Sequence, residues 1–257
     1  MQMSNVKYQM YATLLDSFQN YLSSSEIYSK CWGFSEEPPF NEEEFQQKQF
    51  QSLIDRINRV PFDSEAADQG TVFNEIVGCL ILNQKSEKME IWSDKDANMI
   101  AAIYNERTFA FPIALCREFA DYYKGAIPQV LTEAILSTKY GDVKLYGYID
   151  ELMATSIHDL KTTKSYTAGD FKSHWQHLVY PYCLNSNGNN VTDFEYNIAE
   201  INRTKYGVNY KTFTEFFAYN PETDIPRLTA HVEGLIEFIE ANRNLITDKK
   251  IFNELQQ

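Results

Sequence analysis

The sequence predicts an α/β protein, with a central mixed β-sheet flanked by helices. Three observations carry that expectation. Two stretches of period-two alternation, "QVLTEAILS" and "VKLYGYIDEL", flank "TKYGD", which has the Gly and Asp of a hairpin turn. A third short strand, "SIHDLKTT", follows, and a fourth, "DFEYNIAEI", places Phe194, Tyr196 and Ile198 on one side. The segments before, between and after these strands carry apolar residues at helical spacing, so the order is helix, three strands, helix, strand, helix.

Taken in order, residues 1–60 read as helical and partly irregular. "YQMYATLLDSFQNYL" has an apolar pattern of period 3.6, "SEEPPFNEEEF" breaks it with two prolines and an acidic run, and "FQQKQFQSLIDRIN" restores it. In "GTVFNEIVGCLILN", residues 70–83, Thr71 is placed to cap a helix that is apolar almost all round, with Glu75 in its midst. A further helix is expected over roughly 96–124, divided or kinked at Pro112. Between the third and fourth strands, "TAGDFKSHWQHLVYPYCL" puts Phe171, Trp175, Leu178 and Val179 on one helical face, and Pro181 is expected to kink or end it. Residues 205–219 fit strand or helix equally. The closing helix presents Leu228, Val232, Leu235, Ile236 and Ile239 as one stripe.

A chain of 257 residues, 44% hydrophobic with 17 Tyr and 17 Phe, can bury a real core. Neither a repeat nor a low-complexity linker divides it, so one domain is expected over 1–257, with helical additions at 1–60 and 220–257. No apolar run approaches the roughly 18–20 residues needed to cross a bilayer, and the N-terminal residues lack the basic and apolar regions of a signal peptide. The expectation is a cytoplasmic protein without a membrane partner. A formal net charge of −13 counts against broad coating of nucleic acid, though not against a local basic groove or a metal-neutralised acidic site. Cysteines at 31, 79, 116 and 183 form no C-x-x-C pair and no zinc-ribbon spacing, and Cys79 and Cys116 read as small core residues.

The chemistry lies in "GYIDELMATSIHDLKTTK". Residues two apart on a strand share a face, so Asp159 and Lys161 point one way, His158 and Leu160 the other. Asp150 ends the preceding strand, and pairing of the two strands would bring Asp150 near Asp159. Adjacent carboxylates repel and are costly to bury ionised, and a divalent cation relieves both problems. Mg²⁺ takes one or two carboxylates together with waters and phosphate oxygens, and the Leu160 carbonyl is placed as a further ligand. An ammonium at Lys161 could orient a water or stabilise charge developing on phosphate. Glu75 could approach from its helix. Each residue also has a structural reading: Glu75 as half of a buried ion pair, Asp150 as a turn cap, Asp159 and Lys161 as an exposed edge pair, His158 as a core histidine. Lys164, Lys172, His174 and His177 could touch phosphates or form a solvated face.

In their order, these segments resemble the motifs of the PD-(D/E)XK nuclease superfamily, in its RecB-type branch. "GTVFNEIVG" resembles the first motif, with Glu75; "GYIDEL" the second, with Asp150; "HDLKTTK" the D-x-K signature, with Asp159 and Lys161; "QHLVY" the Q-x-x-x-Y motif, with Gln176 and Tyr180. The resemblance implies a restriction-endonuclease-like core and Mg²⁺- or Mn²⁺-dependent cleavage of DNA. Asp150, Asp159 and Glu75 would be metal ligands, Lys161 the catalytic lysine, and Gln176 and Tyr180 supporting or DNA-contacting residues. Two departures stand out. Asn74 occupies the place where many members have His, and only Cys183 lies where some relatives cluster three iron–sulfur cysteines, so no such cluster is expected. With no helicase motif present, a helicase or recombination partner would be a separate chain. The general plan resembles phage or mobile-element recombination nucleases, and a homo-oligomer encircling DNA fits that role. The expected function is therefore a stand-alone exonuclease. A non-catalytic nuclease-fold module binding DNA or a partner, and hydrolysis of RNA or another phosphoester, are the alternatives.

Overall fold

The structure, a computed structural model, describes residues 6–205 and 207–253. The chain runs β1 (Val6–Tyr11), α1 (Ala12–Leu22), α2 (Ser24–Trp32), α3 (Glu42–Ile57), α4 (Glu65–Leu82), β2 (Glu90–Asp94), β3 (Met99–Tyr104), β4 (Arg107–Pro112), α5 (Ile113–Tyr122), β5 (Ile127–Thr138), β6 (Gly141–Leu152), β7 (Ser156–Thr163), α6 (Gln176–Ser186), β8 (Asp193–Thr204), β9 (Gly207–Ala218) and α7 (Pro221–Ala241). Two short 3₁₀ turns, Arg243–Leu245 and Lys249–Phe252, follow. Local signals start the helices. Asn41 and Glu44 form a reciprocal capping box at α3, Ser64 accepts from Ala67 N–H at α4, and Asn220 with Pro221 opens α7.

Six strands form the central mixed sheet. The expected hairpin is present: β5 and β6 pair antiparallel from Ile127↔Leu152 to Thr138↔Gly141. The other edge of β6 is shared. Its first half runs parallel to β1, and its last residues meet β7 through only Glu151↔His158 and Leu152↔Ile157. β7 then runs parallel to β8 over Ser156–Thr163, and β8 pairs antiparallel with β9. A separate three-stranded sheet, β2-β3-β4, stands beside it.

Two cores cover the two faces. On one, Leu14, Leu15 and Phe18 of α1, Leu178 and Val179 of α6 and the α7 stripe pack on Val143, Leu145 and Ile149 of β6 and on Phe194, Tyr196 and Ile198 of β8. On the other, Val72, Phe73, Ile76 and Val77 of α4 join α5, β3 and β4 over Leu160 and Ala199. Ile198 and Ala199 thus enter opposite cores, as a regular pleat requires. The expected α/β mixed sheet flanked by helices is what the chain forms. Among the described residues, no helix is long and apolar enough to cross a membrane.

Several local expectations are corrected. Val6–Tyr11 is a strand, not helix, because Tyr8 and Met10 are buried where β1 lies parallel to β6, a contact remote in sequence. α4 starts at Ser64, and Thr71 lies inside it, its hydroxyl bonded to the Ala67 carbonyl at 3.1 Å. The expected helix at 96–124 is a hairpin followed by a short helix. The β3–β4 turn is Asn105-Glu106 with φ of 48° and 61°, a left-handed pair that Glu106 does not announce. Residues 167–174 are turns, and α6 begins only at Gln176. Pro181 neither ends nor halts α6, which continues to Ser186. Every residue from Gln176 to Leu184 is buried, and that packing outweighs a proline cost of about 3 kcal/mol. Residues 207–218 resolve as strand β9. Cys116 is a core residue, whereas Cys79 is only half-buried.

Gly147 explains the "GY" before Asp150. Its position lies under the Tyr180 ring, and a Cβ there would stand 2.7 Å from Tyr180 Cε1. Gly147→Ala should therefore destabilise the fold by about 1–3 kcal/mol in urea denaturation. In a double-mutant cycle with Tyr180→Ala, that cost should largely disappear.

Candidate active site between β6 and β7

The two strands that carry the motif residues barely pair. Past Glu151↔His158 the β6–β7 ladder stops, and the Asp150 side chain substitutes for it, with Oδ2 accepting the Leu160 N–H at 2.9 Å. This needs a break in the pleat of β6. Ile149 and Leu152 pack in the same core although three residues apart, so alternation fails between them. Across the hairpin, the register places Gln129 opposite Asp150. Gln129 adopts φ 56°, a left-handed conformation unusual in a strand, and its Nε2 donates to Asp150 Oδ1 at 3.3 Å. Both strands bend at one level, and the bend turns Asp150 toward β7.

Asp159 lies on the α6 side of β7, 2% exposed. Its Oδ2 is 2.6 Å from Lys161 Nζ, and its Oδ1 accepts from Gln176 Nε2 at 2.6 Å. Lys161 Nζ donates back to Gln176 Oε1 at 2.8 Å, closing a ring of three side chains. Gln176 Nε2 also reaches Tyr180 Oη at 3.4 Å, so both Q-x-x-x-Y residues share a helix face and Pro181 does not separate them. His158 points away into a buried network with Ser156 and Asn197, as its place on the strand predicts.

Burial raises the carboxyls of Asp150 and Asp159 above the usual carboxylate range. The Asp159 charge adds to this at Asp150, while Lys161 opposes it at both. Burial tends to lower the Lys161 ammonium, but Asp159 and Asp150 outweigh it and the net shift is upward, so Lys161 stays charged. Burial also pushes the Tyr180 phenol up.

Two contributors were not singled out from sequence as site groups. Asp16 of α1 accepts the Trp175 N–H at 2.6 Å where α6 begins, and burial pushes its carboxyl up to about 7. It fixes the start of the helix that carries Gln176, which explains why α6 does not begin earlier. Asn74 of α4 hydrogen-bonds Asp150, while its own Oδ1 is buried with no hydrogen-bond partner. The signal for Asn74 was its place beside Glu75. Asp16 lies in a helix whose sequence gives no hint of this contact.

Glu75 makes its hydrogen bonds to residues other than the aspartates. Ser86 Oγ donates to its Oε1 at 2.6 Å and Lys88 Nζ to its Oε2 at 2.9 Å. These contacts outweigh burial and lower its carboxyl below the usual range. Its carboxylate is engaged in an ion pair, the structural reading of this residue. His174 and His177 do not form a phosphate-contacting face either. His177 is buried, its ring stacked 4.2 Å from Phe217, and burial lowers its imidazole to about 3 and that of His174 to about 4. Lys164 and Lys172 remain exposed.

A cavity of about 480 Å³ opens here, lined among others by Asn74, Asp150, Leu160 and Lys161. Its oxygen-bearing lining includes the Asp150 and Glu75 carboxylates, the Asn74 amide and the chain at Leu160; the orphaned Asn74 Oδ1 is buried, and Asp159 is the residue next to Leu160. Hard oxygens of this kind suit Mg²⁺ or Mn²⁺. An unpartnered buried amide oxygen beside two carboxylates of raised pKa is a set of groups that a divalent cation would satisfy. Among the described residues, no three His, Cys, Asp or Glu side chains cluster as a ready metal site.

No protein-family model matches the chain, and no curated protein matches it. Among solved structures, the crystal structure of SSO0001 is similar at 10% identity with a TM-score of 0.42, covering 92% of this chain and 79% of that one.

Asp150→Asn should leave the thermal midpoint in EDTA equal to or above that of the wild type, because a repelling buried charge is gone. Mn²⁺ at about a hundred times its dissociation constant should add about 2.7 kcal/mol to the wild type and nothing comparable to the variant.

Proposed function

We propose that this chain is a metal-dependent nuclease that hydrolyses phosphodiester bonds in DNA, of the PD-(D/E)XK type and its RecB-like branch. The observation that carries the reading is the convergence of Asp150, Asp159, Lys161 and Gln176 at the gap between β6 and β7, beside an orphaned Asn74 oxygen. Residues remote in sequence meet at this gap: Asp150 and Lys161 line the cavity, and Asp159 and Gln176 hold Lys161 from behind, a set of carboxylates and a charged lysine that suits phosphodiester hydrolysis.

In this reading Asp150, Asp159, the Leu160 carbonyl and Asn74 Oδ1 would hold Mg²⁺ or Mn²⁺. When bound, the ion supplies Lewis-acid polarisation of the phosphate and activation of water. Lys161, steadied by Gln176, presents a fixed positive charge to the phosphate, where charge builds up during attack. Gln176 and Tyr180 position these groups from α6, and Asp16 positions α6. In this reading Glu75 stands outside the ligand set, as the partner of Ser86 and Lys88. Action as an exonuclease in DNA processing or recombination, a cytoplasmic location, a homo-oligomeric ring and a separate helicase or recombination partner belong to the same reading. No iron–sulfur cluster is part of it. The second reading, a non-catalytic nuclease-fold module, draws on the Lys161–Asp159 ion pair, which already satisfies one of the two carboxylates.

End-labelled linear and circular DNA, incubated with Mg²⁺, Mn²⁺ or EDTA, separates these readings. Metal-dependent loss of linear DNA alone is expected, with Lys161→Ala slower by about 10²–10⁴-fold. Cutting of circles as well would make the enzyme an endonuclease. Equal rates in wild type and Lys161→Ala would remove the assigned chemistry, and no cleavage of any substrate would favour the binding module.

A further inference from the structure

Glu75 and Lys88 form an ion pair on the wall of the same cavity, and the proposed chemistry uses neither. Among the residues lining that cavity, Lys88 and Lys161 are the two cations. Lys161 is spoken for by Asp159 and Gln176. Lys88 is different. Its side chain is 61% exposed, whereas that of Glu75 is 14% exposed. An ammonium has three donors, and Glu75 takes one of them at 2.9 Å.

The segment that carries Lys88 is anchored at several points. α4 ends at Asn83 in a left-handed conformation, which turns the chain back on the helix. Ser86 Oγ then accepts the N–H groups of Lys88 at 3.0 Å and Met89 at 3.1 Å, while donating to Glu75 Oε1 at 2.6 Å. One carboxylate from α4 therefore holds both the backbone turn, through Ser86, and the tip of Lys88. A flexible surface lysine would need no such mooring. A fixed one beside a phosphodiester-cleaving site has a use, because every nucleotide adds a charge to the substrate. In a chain of net charge −13, a cation that receives the strand must be placed locally.

We infer that Lys88 is a phosphate-binding subsite of the cavity, taking a backbone phosphate of a nucleic-acid strand next to the one being cleaved, and that Glu75 serves as its anchor and not as a metal ligand. This rests on the nuclease reading for its substrate, but its test does not require cleavage. Lys88 acts in binding, so its loss raises KM and leaves kcat nearly unchanged, whereas loss of Lys161 lowers kcat.

The experiment is fluorescence anisotropy of labelled single- and double-stranded oligonucleotides in EDTA and in Mn²⁺ over a salt series, with Mn²⁺ binding followed by calorimetry. Lys88→Ala should weaken oligonucleotide binding roughly tenfold. It should also reduce the slope of log affinity against log salt by about 0.7 for single strands. Lys88→Arg should keep the slope. Glu75→Gln leaves Lys88 an acceptor and removes a negative charge, so oligonucleotide affinity should hold or rise, and Mn²⁺ binding should match the wild type. Unchanged affinity and slope in Lys88→Ala would overturn the subsite. Loss of Mn²⁺ binding in Glu75→Gln would overturn the anchor and return Glu75 to the metal. Oligonucleotide binding sensitive to Lys88 without any cleavage would leave the subsite standing and remove the nuclease reading, while a wild type that binds no oligonucleotide would remove both.

Discussion

One hydrogen bond organises this molecule: the Leu160 N–H to Asp150 Oδ2, at the level where the ladder between β6 and β7 ends. A continuous antiparallel ladder would consume the backbone groups of both strands and leave no room between them. Instead β6 bends, with the left-handed Gln129 bending in register across the hairpin, and a carboxylate takes over the task of a ladder carbonyl. The bend opens the cavity and brings Asp150 beside β7. It also places two carboxyls of raised pKa near one another, an arrangement that is unfavourable unless something positive joins them. Lys161 partly meets that need at Asp159.

The remaining architecture holds this gap open and braced. β8, buried on both faces, fixes β7 by eight parallel pairs from Ser156↔Asp193 to Thr163↔Glu200. α6 lies across β6 because Gly147 admits the Tyr180 ring, and from there Gln176 reaches both Asp159 and Lys161. α1 contributes Asp16 to the start of α6. α4 closes the other side, with Gly70 close against Thr162 and Asn74 on Asp150. Glu151 shows the strain of the design. It is fully buried with neither oxygen hydrogen-bonded, and burial, then the Asp150 charge, push its carboxyl up to about 8.

Much of this was legible in the chain itself. Alternation in "QVLTEAILS", "VKLYGYIDEL", "SIHDLKTT" and "DFEYNIAEI" located β5 to β8, and the spacing of Asp159, Lys161, Gln176 and Tyr180 foretold which faces they occupy. What escaped depends on distant partners. β1 is six residues long and is a strand only because β6 receives it. The Asn105-Glu106 turn lacks the glycine that marks such hairpins, so β3 and β4 read as helix. Regular alternation could not foresee the broken pleat at Asp150. Glu75 was expected at the metal on its place in a motif, and the sequence did not announce the serine and lysine beyond the end of α4 that bond its carboxylate.

The most direct test is crystallographic: anomalous diffraction from crystals soaked with Mn²⁺. A peak is expected at roughly 2–2.3 Å from oxygens of Asp150 and Asp159, with Asn74 and the Leu160 carbonyl as neighbours, Lys161 moved off Asp159, and Glu75 still joined to Lys88. A cavity without a peak at saturating Mn²⁺, or a peak held by Glu75 away from the two aspartates, would contradict the proposed metal site.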